Sequence, residues 1–197
     1  MVTIGIEINH VLRNINKQLL KYYQRDVDNT LDLDEIDEED DVLNKYIKFD
    51  SKAAKSNFIY VDYPYEIFGC ADPMSKNLPT HILSWLKDIE DMEDEQYRVV
   101  YYSLNEENLT IQSTLFFLSK TTTRIREVFF PESIDEVLEK CDVIITANPD
   151  VFTKETDKKI VVIEKEFNKD AAEKTDALKY SSLDELISDK EFFKKIQ

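Results

Sequence analysis

The sequence predicts an α/β fold: a doubly wound parallel sheet, with a long, mainly helical segment between its first strand and the others. Short β-rich runs at 98–102, 127–130, 142–146 and 159–163 alternate with stretches of helical length. Strands spaced this way pair in parallel through crossover helices. A further strand opens the chain at 2–9, and helical, loop-rich sequence over 13–96 separates it from the others.

Composition fits a folded domain. The chain has 197 residues, 42% hydrophobic and 11% aromatic, enough for a proper core. No apolar run reaches the roughly 18 residues of a membrane span, and the first residues lack a signal pattern. Cys70 and Cys141 lie far apart without metal-ligand spacing, which fits a reducing, cytoplasmic setting. A net charge of −16 opposes a phosphate backbone and favours protein partners over nucleic acid or membrane. Gly5 and Gly69 are the only glycines. Glycine-rich loops that cradle nucleotide phosphates are therefore excluded.

Each element has its own signal. Ile4, Ile6 and Ile8 alternate along the first strand. Val11, Leu12, Ile15, Leu19, Leu20 and Tyr23 recur at helical spacing, predicting a helix over 11–24. The stretch 26–41 carries ten acidic residues in sixteen and reads as a solvated loop or exposed helix start. It is no calcium loop, because Leu31 or Asp37 stands where glycine is required. A helix is expected near 42–55 and another over 79–90. Between them, 58–69 is too aromatic for a solvated loop: it packs on the core, or Tyr60, Tyr63, Tyr65 and Phe68 form an interaction surface. Ser103 and Glu106 form a capping box for a helix to about 119. Ser133 and Ser182 open two further capped helices.

The strand ending Glu7-Ile8-Asn9-His10-Val11 matches the place where one enzyme family has its nucleophile. On four such places the chain resembles the haloacid dehalogenase (HAD)-like superfamily, in its 5′-nucleotidase-like branch. The resemblance implies a core of 1–12 and 97–197 with a cap over 13–96. In that family, the first strand ends in two aspartates followed by glycine; here Glu7, Asn9 and His10 hold those positions. Ser103 matches the family's phosphate-binding serine or threonine. The family lysine has no counterpart between 127 and 139. Thr146 and Ala147, before Asn148-Pro149, replace the acid pair that binds Mg²⁺. A second aspartate-rich string, Asp26-Val27-Asp28-Asn29-Thr30, is a decoy, since no strand precedes it.

These substitutions bear on chemistry. Glu7 adds a methylene and moves the carboxylate by about 1 Å, which can cost on the order of a hundredfold. Asn9 has no titratable proton, removing an effect worth about 10²–10⁴-fold. Ala147 offers no oxygen ligand to a hard cation. Neither His10 nor His81 is spaced for a serine or cysteine relay.

The expectation is therefore a catalytically inactive, HAD-like pseudoenzyme without cofactor or metal. Glu7, Asn9, His10, Ser103, Thr146, Ala147 and Asn148 would line a vestigial pocket. Such a chain would be a structural or protein-interaction module in a larger assembly, in the cytoplasm or in a phage virion assembled there. The alternatives are a divergent Mg²⁺-dependent nucleotidase or phosphatase, or a non-catalytic phosphate- or nucleotide-binding module.

Overall fold

A computed structural model describes residues 1–37, 42–92, 97–104, 106, 108–121 and 127–196, position 108 by its backbone alone. Six strands form an all-parallel sheet: β1 (Val2–Glu7), β4 (Tyr97–Tyr102), β5 (Val128–Phe129), β6 (Val143–Thr146), β7 (Lys159–Ile163) and β8 (Leu178–Tyr180). Their order is β5-β4-β1-β6-β7-β8. The first strand is central, and the chain winds outward from it in both directions. The order reverses between β1 and β6, where open parallel sheets form a crevice at the carboxyl ends of their strands.

Both faces of the sheet are covered. Ile4, Ile6, Tyr101, Val143, Ile145 and Val161 belong to the main core cluster. That cluster also takes buried residues from α4 (Leu78–Glu90), α5 (Asn108–Lys120), α9 (Leu183–Ser188) and α10 (Phe192–Lys195). Alternation sends Val100, Tyr102 and Ile144 to the opposite face, under Val137 and Leu138 of α6 (Ile134–Lys140). Cys141, which ends α6, crosses β1 so closely that a Cβ on Gly5 would lie 2.5 Å from its Sγ.

The chain leaves β1 through a tight turn. The N–H groups of Leu12 and Arg13 both donate to the Ile8 carbonyl, at 3.1 and 3.0 Å. His10 takes a left-handed φ of 62°, a conformation that favours glycine. A two-stranded antiparallel ribbon follows, with β2 (Arg13–Asn14) against β3 (Asp72–Pro73). The sequence between them is mainly helical. It contains α1 (Asn16–Asp26), α2 (Val42–Lys45) and α3 (Lys52–Asn57).

Several boundaries differ from expectation. The helix expected over 11–24 begins at Asn16, because 11–15 form the turn and ribbon; Val11, Leu12 and Ile15 are buried there all the same. The helix expected near 42–55 is two, the second restarted where Ser51 accepts from the Ala54 N–H. The aromatic segment winds into two π-helical turns, Phe58–Asp62 and Tyr65–Gly69. Gly69 permits a close approach to α5: a Cβ there would lie 3.3 Å from the Ser113 carbonyl oxygen. The helix expected to open at Ser103 begins at Asn108. Ser133 and Ser182 cap α6 and α9 as expected.

The acidic decoy Asp26–Thr30 is local. Asp26 pairs with Arg25 at 2.7 Å, and Asp28 accepts from the Thr30 N–H and hydroxyl. Of the acidic stretch, 38–41 lie outside the described residues. Helix α4, within 13–96, packs on α9, and its Trp85 stacks on Phe193 of α10, the ring centroids 6.0 Å apart.

Candidate functional site

The residues singled out from sequence gather at the carboxyl edge of the sheet, but in three groups rather than one. Glu7 shares a face of the sheet with Tyr102 and Thr146 and is almost wholly buried. Thr146 Oγ1 donates to Glu7 Oε2 at 2.5 Å, and the Ala147 N–H donates to the same oxygen at 3.0 Å. Thr146 Oγ1 in turn accepts from the Asn148 N–H at 3.0 Å. Burial raises the Glu7 pKa from 4.5 to about 7, against the lowering effect of these hydrogen bonds. Desolvation without a nearby cation favours the neutral acid. Thr146 and Ala147 are thus both donors to the acid that ends β1.

Asn9 belongs to the second group. Its Oδ1 accepts from Arg13 Nε at 3.0 Å and Nη2 at 2.5 Å, and its Nδ2 donates to Ser103 Oγ at 3.1 Å. Ser103 Oγ donates to Glu106 Oε1 at 2.6 Å. That hydroxyl is engaged on both sides, and its partner is the Glu106 carboxylate rather than the start of a helix.

Arg13 organises this second group and was not singled out from sequence. Its side chain is 0% exposed, and Nη2 pairs with Glu106 Oε1 at 2.7 Å. Nη1 donates to Thr114 Oγ1 at 2.6 Å and to the Phe68 carbonyl at 3.2 Å. Thr114 Oγ1 donates to Glu106 Oε2 at 2.6 Å. The Phe68 and Phe117 rings lie 5.0 and 5.5 Å from the guanidinium carbon. A guanidinium tolerates such a site because it is planar, weakly hydrated and matches a carboxylate in shape. The network ties the turn after β1 to α5 and to the inserted segment.

His10 points elsewhere. Its ring meets Phe167 edge-on at 5.1 Å. Burial, then the Arg13 and Lys165 charges, push its pKa down to about 4 and keep it neutral. Asn148 is a helix cap: its Oδ1 accepts from the Asp150 N–H at 3.0 Å and starts α7 (Pro149–Phe152). Among the described residues no hydrogen bond joins the Glu7 group to the Asn9 group.

No protein-family model matches this chain, and no curated protein does. Its chemistry must be read from the residues themselves.

The donors do not fit Mg²⁺. Glu7 Oε2 already accepts two hydrogen bonds, and Asn9 Oδ1 is held by a guanidinium. A hard divalent ion needs several free anionic oxygens, and here a buried cation faces the same turn. At His81 the described residues are not in relay order: its Nδ1 meets Asp184 Oδ1 at 2.6 Å while Ser75 Oγ bonds Asp184 Oδ2, so the carboxylate separates hydroxyl from imidazole.

Of the aromatic side chains offered as a surface, Tyr60 and Tyr65 are exposed. Tyr63 is half-buried, 5.1 Å from Tyr22. Phe68 is a correction: it is 2% exposed, since its ring covers Arg13. Phe116 of α5 extends the exposed patch, its ring 5.1 Å from Tyr65. The sequence signal for it was an apolar residue off the buried face of its helix.

Proposed function

We propose that this chain is a catalytically inactive, HAD-like scaffold that works as a structural or protein-interaction module within a larger assembly, such as a virion. One observation carries the reading: burial raises the pKa of the acid at the end of the central strand to about 7, and its Oε2 is tied to Thr146 and Ala147. An in-line nucleophile must be an ionised carboxylate, the form that burial disfavours here. The neighbouring Asn9 is fixed by Arg13 and supplies no acid.

The strand order and the helical segment inserted directly after the central strand support the family resemblance. The exposed patch of Tyr60, Val61, Tyr65 and Phe116 is where partner contact is assigned. Aromatic side chains are enriched in interface cores, and tyrosine is among the residues that dominate binding energy there.

Phosphate-monoester hydrolysis, measured with Mg²⁺ for the wild type and Glu7→Ala, tests the first half. Both are expected at background. Turnover that Glu7→Ala abolishes would overturn the reading. The mass and composition of the native assembly test the second half; a lone monomer would count against it.

A further inference from the structure

The face of α5 turned to the core is partly polar. Thr110, Ser113 and Thr114 are buried there, and Thr114 serves the Arg13–Glu106 pair. Its outer face is apolar instead: Leu109, Leu115 and Phe116 are 41 to 51% exposed. The two π-helical turns packed on this helix add Tyr60, Val61 and Tyr65. Tyr65 and Phe116, their rings 5.1 Å apart, join the two parts. Among the described residues, the other large apolar side chains this exposed are Met1 and Val27. An apolar face concentrated in this way marks a contact surface.

Charge decides what covers it. The chain carries −16, so most of its surface repels a copy of itself. Helix α5 is an exception, because 108–120 hold no acidic residue. The rim of the patch has both signs. Asp62 and Glu66 directly follow Val61 and Tyr65, and Lys120 stands about one helical turn past Phe116. Lys120 Nζ lies 5.7 Å from the Phe117 ring centroid. Among the described residues, none of these three charges is in an ion pair. A two-fold contact needs a surface complementary to itself, so that residue i meets j and j meets i. Apolar side chains flanked by two carboxylates and an ammonium meet that need. A uniformly basic partner would set its own charge against Lys120.

We propose that this face docks a second copy of the chain about a two-fold axis. Tyr65 and Phe116 lie at the centre, and Lys120 of each copy meets Asp62 and Glu66 of the other. The proposal rests on the reading of this patch as a contact surface and names its occupant.

Sedimentation equilibrium of the purified full chain tests it. The mass is expected to rise from that of one chain toward that of two between about 1 and 100 μM. Phe116→Ser is expected to weaken the dimer on the order of 100-fold, because one substitution acts twice in a two-fold contact. Lys120→Glu alone, and Asp62→Lys with Glu66→Lys alone, should each weaken self-association. An equimolar mixture of these two variants should restore a dimer, since opposite charges face each other again on both sides of the axis. Thermal melts establish that the variants fold. The proposal is overturned if the wild type stays monomeric throughout, if folded Phe116→Ser associates as tightly, or if the mixture is no tighter than either variant alone. A single copy held through this patch by a different protein in the native assembly would also overturn it, while sustaining the contact-surface reading.

Discussion

Two carboxylates are buried at the same edge of one sheet, and their surroundings are opposite. Glu106 faces a guanidinium at 2.7 Å and two hydroxyls, so its buried charge is compensated. Glu7, at the end of the neighbouring strand, has a hydroxyl and an N–H but no cation, and its pKa rises to about 7. Burial gives the two acids different partners: a guanidinium for Glu106, only neutral donors for Glu7. The difference also separates a bolt from a filler. Glu106 joins the turn after β1 to α5 through Arg13, whereas Glu7, the last residue of β1, reaches only the hydroxyl and N–H at the end of β6.

The largest effect should come from breaking the compensated pair. Glu106→Ala strands the Arg13 charge in the core and is expected to cost about 3–5 kcal/mol in urea unfolding. Replacing both partners, as in Arg13→Met with Glu106→Leu, should recover much of that loss. If the double variant is as unstable as the single one, the pair is not the source of the effect.

Glu7→Gln sharpens the other side. Because the folded pKa is raised above the unfolded one, the Glu7 contribution is fully present below about pH 4.5 and is lost as pH rises through about 7. An amide at this position does not titrate and has no such loss. The variant should match the wild type near pH 4 and exceed it by up to about 3 kcal/mol near pH 8. His10 titrates in the opposite sense, full stability above about 6.5 and loss toward about 4, and it cancels because both chains carry it. A constant difference across this range would refute the neutral-acid account.

A charge-free test at the same strand asks whether the edge is as intolerant of plain volume. Gly5→Ala should cost about 1–3 kcal/mol, since its Cβ would meet Cys141 Sγ at 2.5 Å. Adding Cys141→Ala should return part of this, a coupling that a double-mutant cycle reads directly. The smallest effect belongs to the surface: Tyr65→Ser and Phe116→Ser should each change stability by less than about 1 kcal/mol while weakening co-purification with a partner.

Much of the fold was legible because hydrophobic period is local. Ile4, Ile6 and Ile8, and the runs ending at Thr146 and Ile163, could be read as strands without any contact being known. The strand β8 was not, since its three residues, Leu178–Tyr180, are too few for a period and carry a lysine at the centre. The helix α10 is shorter than a pattern can mark, and it holds through Phe192, which is buried against Trp85. In the candidate site, the residues at 7, 9, 146 and 147 were visible as residue types, but not the use made of them. Thr146 and Ala147 became donors to Glu7 only once β6 lay beside β1, 139 residues away in sequence.

By itself, the chain's order of residues determined the alternation of strands and helices and the threonine and alanine that follow the strand at 146 and 147. It also placed a non-glycine residue, His10, at a turn whose backbone proved left-handed. Only the tertiary structure decided which charges survive burial. Arg13 looks like any polar turn residue in sequence; it lies in the core because α5 and the inserted segment bring Glu106, Thr114 and two aromatic faces around it. The reason is physical: local pattern depends on neighbours along the chain, whereas the energy of a buried charge depends on partners that folding alone supplies.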